Sequence, residues 1–426
     1  MKGNKSKSKY TRRDFLKTSG ALAGGLALNL MGPGRPFIFA QTKEPIKLGY
    51  IDILSGPFAT VGRLNQVGTR MAEKHINAAG GIMGRPLKIY LEDSEGKAQQ
   101  AADKAQKLIL DYGVIAVHGG TNTAEVLSSM GVCKRYGVIH HKFEMDSRTV
   151  AKSMFKLSYR AQNTDAEPVR AMAWHFGKNM PHIKRWTTLT PDNAWGRDCW
   201  DTFVEASKKS IKDVKLLEPV IHPFGTADFT SYIMKLKDLD PQGVMMFNWG
   251  GDFMAFMKQQ KPFGLMKKIE FTHYAPCPDV CLTMGKDMEQ MWVAMGEYNP
   301  QLPAFQKFMK MCEDDKEFGR IPGDWTPHHY DSVFLMKKAI EKAGKDEPKA
   351  IIKAIEGMEF EGVTGWLRIR PESHFPDKKW FYIGHLEPTK GSPYFTWHKI
   401  AAIPNDQICF TDEEARAMGA DFPYKE

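Results

Sequence analysis

The sequence predicts an α/β protein of two lobes, each a largely parallel sheet flanked by helices. Three observations predict it. Short β-branched runs alternate with amphipathic stretches from residue 46 onward, the pattern of stacked βαβ units. The alternation restarts near Asp165, and about 386 residues follow the N-terminal 40, more than one core comfortably holds.

In chain order, IKLGYI (46–51) predicts the first strand, and Leu64, Val67, Gly68, Met71 and His75 then share one helical face. LKIYLED (87–93) is the next strand. Ala98, Ala101, Ala102, Ala105, Leu108 and Ile109 form a narrow small-residue face, suited to close packing on a sheet, before the strand VIAVHGG (114–120). Leu127 and Met130 mark the following helix, and GVIHHKF (137–143) a fourth strand. The second series runs helix 167–178, strand 185–190, helix 196–209, strand 215–221, helix 228–239, strand 243–249, helix 252–260 and strand 268–274. MWVAMGEY (291–298), helical stretches 303–316, 327–343 and 348–357, and the β-like GWLRIR and KWFYIGHL complete the chain. No repeat of solenoid period and no low-complexity linker appears, so several short crossings must join the lobes.

The first 40 residues read differently. TRRDFLK (11–17) precedes the mildly apolar TSGALAGGLALNL, which glycines interrupt and Pro33 stops; this is the pattern of a twin-arginine export signal, too short to span a membrane. Cleavage near Ala40 gives a periplasmic protein. Eight of the 59 Lys and Arg and one of the 50 Asp and Glu lie in that segment, leaving 51 against 49, so the basic balance gives no support to nucleic-acid or membrane-surface binding. The six cysteines are irregularly spaced; CPDVC (277–281) has no second Cys/His pair at zinc spacing, and a Cys277–Cys281 disulfide and two free thiols remain alternatives.

Ligands of open α/β sheets gather at the carboxyl ends of strands, where helix N-termini present unpaired N–H groups. Here those loops are SGPFA (55–59), GGTNTAE (119–125), KFEMDS (142–147), TPDNAWG (190–196), NWGGD (248–252) and YAPCPD (274–279). In GGTNTAE, glycines allow close backbone approach while Thr121, Asn122 and Thr123 offer donors to a carboxylate; the alternative is that they merely cap their own helix. Phe143, Trp195, Trp249 and Tyr274 supply walls for an apolar ligand body. HHK (140–142) and PHHYD (327–331) tempt a metal reading, but adjacent strand histidines face opposite ways and one pair cannot chelate alone. No GxGxxG opening a helix, Walker loop, GxSxG, HExxH or CxxCH occurs, so no enzyme, metal or cofactor is expected.

INAAGGIMGRPLKIYLED (76–93), preceded by LSGPFATVG (54–62), resembles the N-terminal signature of the leucine/isoleucine/valine-binding proteins, the type I periplasmic solute receptors of ABC importers. GTADFTSYIMKLKDLDPQGVMM (225–246) is similar to that family's second-lobe motif. The resemblance implies two Rossmann-like lobes joined by three crossings, with a solute trapped between them by hinge closure. On it, lobe 1 comprises 41–160 plus 293–358 and lobe 2 comprises 161–292 plus 359–426. The implied contacts are Ser55, Thr121, Asn122, Thr123, Phe143 and Glu144 from lobe 1, and Trp195, Asn248, Trp249 and Tyr274 from lobe 2. One departure stands out. Where amino-acid binders place a glutamate for the α-ammonium, this chain has Ala275, Pro276 and Cys277, leaving Asp279 or Glu144 as substitutes.

The expected function is therefore capture of a small carboxylate-bearing solute, branched-chain amino acid-like or an aromatic or aliphatic acid, without a required α-ammonium. The implied partner is an ABC permease in the inner membrane, and the receptor is expected to be a monomer. A ligand-sensing regulatory module of the same fold and a Tat-exported oxidoreductase are the alternatives.

Overall fold

The computed structural model describes residues 44–56, 58–274, 281, 284–296, 299, 301–319, 322–323, 325–388 and 395–424. The first series forms a five-stranded parallel sheet in the order β2-β1-β3-β4-β5. Its strands are β1 (Ile46–Asp52), β2 (Leu87–Asp93), β3 (Ala116–Gly119), β4 (Ile139–Lys142) and β5 (Ser158–Arg160). Helices α1 (Ala59–Ala78), α2 (Ala98–Leu110) and α3 (Thr123–Tyr136) and the short α4 (Arg148–Ala151) connect them. The small-residue face of α2 buries Ala101, Ala105 and Leu108. It packs so closely that a Cβ on Gly49 of β1 would stand 2.8 Å from Leu108 Cδ1.

The second series builds an eight-stranded sheet, ordered β16-β15-β11-β10-β9-β6-β7, with β8 also paired to β6. Strands β6 (Arg185–Pro191), β7 (Lys215–Leu216), β8 (Val220–His222), β9 (Gly243–Met246), β10 (Glu270–His273) and β11 (Met291–Gly296) alternate with α5 (Ala166–Asn179), α6 (Ala194–Ser210), α7 (Thr230–Leu239) and α8 (Gly250–Gln260). The stretch expected as one strand over 215–221 is two. Pro219 has no N–H to donate, and β7 and β8 pair with β6 on either side of the break.

Helices α9 (Pro303–Asp314), α10 (Thr326–Ala343) and α11 (Pro348–Ile355) follow. A small antiparallel sheet comes next, β12 (Glu359–Gly362), β13 (Gly365–Ile369) and β14 (Pro376–Lys378), then β15 (Trp380–Pro388), β16 (Phe395–Pro404) and α12 (Asp412–Ala417). Helix α10 returns to α1, where Thr326 Oγ1 donates to the Leu64 carbonyl at 3.0 Å.

The sequence reading assigns 359–426 wholly to the second lobe and 293–358 to the first; the structure divides both stretches. Phe360, Leu367 and Ile369 of β12 and β13 and Phe375 just before β14, with Phe410, Ala415, Phe422 and Tyr424, are buried in the same core as β1–β5. Arg370 pins this return, donating to Asp377 at 2.8 Å, Asp412 at 2.6 Å and the Phe410 carbonyl at 2.8 Å. Strands β15 and β16 extend the second sheet antiparallel, through β11. Fully buried Phe and Trp side chains such as Trp186, Phe203 and Phe256 fill the second lobe. Each stabilises the fold by about 1.5–3 kcal/mol relative to exposure. No described helix is long and apolar enough to cross a membrane.

Candidate ligand-binding site

A cavity of about 390 Å³ lies where the carboxyl ends of the two sheets meet. Seven of the ten residues expected at the site line it: Thr121, Asn122, Thr123, Glu144, Trp195, Trp249 and Tyr274. Three stand off it. Ser55 hydrogen-bonds the Asp93 carboxylate. Phe143 is buried behind the wall, stacked on His329 with centroids 3.5 Å apart. Asn248 is wholly buried, its carbonyl accepting from His273 Nε2 at 2.6 Å. Sequence reasoning missed Val61, Leu127, Met145, Asn193, Phe224, His273 and Trp325, which also line the space. Of these, Asn193, an N-cap residue, and Met145 lay inside loops already singled out.

Two helix N-termini, one from each lobe, open onto the cavity. At α3 a capping box satisfies two of the four orphan amides: Asn122 Oδ1 accepts from the Glu125 amide at 3.0 Å, and Glu125 Oε1 accepts from the Asn122 amide at 3.4 Å. The amides of Thr123 and Ala124, both cavity residues, remain in the first turn, where the helix has no acceptor for them. At α6 Asn193 Oδ1 accepts from the Gly196 amide at 2.7 Å, which leaves the amides of Ala194 and Trp195, again cavity residues, in the same position. Both ends favour negative charge.

Thr121 departs from its expected role. Its hydroxyl donates to Asp52 Oδ1 at 2.5 Å and its amide to Glu125 Oε1 at 2.5 Å, so both donors point into the protein. Asp52 also accepts from Tyr50 Oη at 2.7 Å and Asn65 Nδ2 at 3.1 Å. Burial raises the Asp52 carboxyl, and burial together with the Asp52 charge pushes Glu125 up to about 8. A buried acid pair thus underlies the α3 N-terminus. On the neighbouring wall, burial raises Glu144, while burial and then the Arg160 charge bring Lys142 down to about 7.

Aromatic rings make most of the remaining surface. Trp195 meets Tyr274 edge-on, with centroids 5.6 Å apart, and Phe224 meets Trp249 at 5.6 Å. The Tyr274 hydroxyl donates to Met145 Sδ at 2.8 Å, tying the second lobe to the first.

The histidines of the two motifs do converge, but below the site. His118 Nδ1 lies 2.7 Å from His141 Nδ1, and His118 Nε2 lies 2.8 Å from His329 Nδ1. His140 faces the other way, to Ser129 Oγ at 2.9 Å. Among the described residues no group of three or more His, Cys, Asp or Glu is placed to hold a metal ion. Ala275, Pro276, Cys277 and Asp279 lie outside the described residues, and with them the Cys277–Cys281 alternatives.

Residues 45–390 match the model of a family described as periplasmic binding protein, and residues 9–28 match the twin-arginine translocation pathway signal sequence. Leu/Ile/Val-binding protein homolog 4 of Brucella abortus is 24% identical over 383 residues, covering 84% of this chain and 86% of that protein. Similar solved structures include a solute-binding protein of an ABC transporter from Rhodopseudomonas palustris in complex with 3,4-dihydroxybenzoic acid. It has TM-score 0.75 and 22% identity, over 84% of this chain and 97% of that one. Another is the branched-chain amino acid transporter substrate-binding protein of Streptococcus pneumoniae in complex with isoleucine. It has TM-score 0.73 and 17% identity, over 85% of this chain and 100% of that one.

Proposed function

The chain belongs to the periplasmic binding protein family, and on that premise we propose that it is the receptor of an ABC importer for a small carboxylate with an apolar body. Its twin-arginine signal directs it to the periplasm. There it acts by binding rather than by chemistry, as a monomer that delivers its solute to an inner-membrane permease.

One observation carries the proposal: a cavity of about 390 Å³ receives a helix N-terminus from each lobe, and much of the rest of its wall is aromatic, Trp195, Trp249, Tyr274 and Trp325 among them. The amides of Thr123 and Ala124 are suited to a carboxylate, and the rings to an aliphatic or aromatic body. The ligands in the two similar structures, a dihydroxybenzoic acid and isoleucine, share a carboxylate and differ in body. Because walls come from both lobes, capture requires that the lobes close around the solute.

A thermal-shift panel tests this. Leucine, isoleucine and valine are compared with 4-methylpentanoate, benzoate and 3-phenylpropanoate, and with the neutral amides of the same acids. A ligand at a hundred times its dissociation constant stabilises by about 2.7 kcal/mol, a clear shift in a melting curve. At least one acid should shift the curve while its amide does not. Equal shifts from acid and amide would refute the carboxylate site. Solution scattering with the stabilising acid should show a smaller radius of gyration; an unchanged radius would refute closure.

A further inference from the structure

We infer that Asp252 is a positioning residue for solute retention: its carboxylate pins the turn that carries Phe224 and thereby holds that ring at the mouth of the cavity. This rests on the cavity being the site where the solute is captured.

Phe224 is the residue through which the connection from β8 to α7 reaches the cavity wall. Its two neighbours differ in freedom. The ring of Pro223 fixes φ on one side, whereas Gly225 on the other has φ +83°, and a Cβ built there would meet no atom within 4 Å. Packing on that side gives no restraint, and a hydrogen bond supplies it. The Gly225 amide donates to Asp252 Oδ2 at 3.0 Å.

Asp252 is buried in the first turn of α8, three residues after Trp249, the N-cap of that helix. The bond therefore ties together the two rings that the second lobe sets at the lip, Phe224 and Trp249, with centroids 5.6 Å apart. Other bonds of the connection serve other ends. The Pro223 carbonyl accepts from His222 Nδ1 at 2.9 Å and from Thr226 Oγ1 at 2.6 Å, which shapes the turn without fixing it to α8. Gln259, about two helical turns beyond Asp252, accepts from the Phe229 amide at 2.7 Å and donates to the Ala227 carbonyl at 2.7 Å, anchoring the far end. His222 Nδ1 is 3.9 Å from Asp252 Oδ2, too far to compete for it. Asp252 anchors the end that bears the ring.

A hydrogen bond to a carboxylate is roughly twice as strong as a neutral one, and without it the glycine regains the widest backbone freedom of any residue. Phe224 is exposed at the lip, so an unpinned ring swings into solvent and opens the solute's way out.

Two measurements test this. Fluorine NMR of protein carrying 4-fluorophenylalanine in place of Phe224 reads the ring with no solute present. Wild type should give a resonance displaced from that of the free amino acid by the neighbouring rings. Asp252→Ala should move it most of the way back, and Asp252→Asn, which keeps an oxygen for the Gly225 amide, should leave it in place. A resonance unmoved in Asp252→Ala overturns the inference. Stopped-flow release of 3-phenylpropanoate and 4-methylpentanoate then reads retention. Asp252→Ala should release either acid about tenfold faster than wild type, as expected for loss of a hydrogen bond to a charged group, and Asp252→Asn should stay within about threefold. In a Phe224→Ala background the Asp252→Ala change should alter release by less than about twofold, since its effect passes through the ring. Unchanged release in Asp252→Ala, or the same acceleration in the Phe224→Ala background, would overturn the role assigned to Asp252. If neither acid binds wild type, the carboxylate reading of the cavity fails, while the fluorine resonance still decides whether Asp252 places the ring. Should Asp252→Ala not fold, Asp252→Ser, whose shorter side chain stops short of Gly225, takes its place in both measurements.

Discussion

Phe58 stacks on Phe224 across the mouth of the cavity, with ring centroids 4.5 Å apart and planes 13° from parallel. Phe58 comes from the loop after β1, whereas Phe224 follows β8, so the pair spans the two lobes. Trp249 joins them, 4.6 Å from Phe58, and Phe224 is 43% exposed at the lip. On the proposed closure of the lobes, the cluster acts as a clasp between them. Aromatic contacts of this kind contribute about 0.5–1.5 kcal/mol each beyond burial. Phe58→Ala should weaken solute binding about tenfold, chiefly through faster release. Gly250→Ala should act in the same direction, because its φ is +54° and a Cβ there would stand 2.8 Å from Phe58 Cδ1. Stopped-flow release rates equal to wild type in both variants would rule out the clasp.

Affinity for an anionic solute should depend on pH through Glu125. Its carboxyl, held up to about 8 by burial and by Asp52, is uncharged at neutral pH and ionises as pH rises through that value. The new charge appears beneath the α3 N-terminus, beside the expected position of the carboxylate. Binding should weaken by roughly tenfold between pH 7 and 9, the order of a Coulomb term between partly buried charges. Glu125→Gln keeps the oxygen that serves the Thr121 and Asn122 amides but cannot ionise, so its affinity should fall clearly less than wild type's, the remainder following the loss of charge on Lys142, which burial brings down to about 7. A parallel decline in wild type and variant would exclude Glu125 as the source.

The alternation of strands and helices was legible because each element is fixed by local pattern: LKIYLED is β2 to the residue, and the alanine face of α2 packs as its spacing requires. The lobe to which the C-terminal segments return was not. Phe360, Leu367 and Phe410 announce only that they need a core, and both cores were available. Of the residues expected at the site, Asn122, Trp195 and Trp249 reach the cavity because they sit where strands end and helices begin. Phe143 was misplaced because its loop turns the ring toward His329 on α10, a contact 186 residues away that no local pattern encodes. Trp325 and Phe224 were missed for the same reason: only the assembled fold brings them to the cavity. The histidine motifs at 140–142 and 327–331 were both noticed, yet nothing local joins His141 to His329 through His118.

Export should require Arg12 and Arg13 as a pair. Replacing both with Lys keeps the charge and removes the planar guanidinium groups, and should leave precursor in the cytoplasm. A chain starting at Gln41 retains both sheets and should fold and bind. Normal export of the double variant, followed by fractionation and immunoblot, would contradict the twin-arginine match.

The buried histidines should make stability fall in acid. His118 and His140 are brought down to about 3, and His141 and His329 well below their ordinary value, in each case chiefly by burial. An unfolded imidazole takes up its proton near pH 6.5. Between there and the folded values the unfolded chain binds more protons, so this contribution is fully present above pH 6.5 and is lost as pH falls. Each histidine then tilts stability by about 1.4 kcal/mol per pH unit. Asp165, raised to about 7, and Glu125 tilt the other way, since the folded state holds their protons where the unfolded state has released them. The total curve therefore mixes opposing slopes, and the informative quantity is a difference. His118→Gln, measured by urea unfolding from pH 4 to 7.5, should be less stable than wild type at neutral pH, because His141 and His329 each lose a partner. The gap should narrow steadily below pH 6.5, by about one histidine's slope. A constant gap across the range would show that His118 is not held neutral in the folded protein.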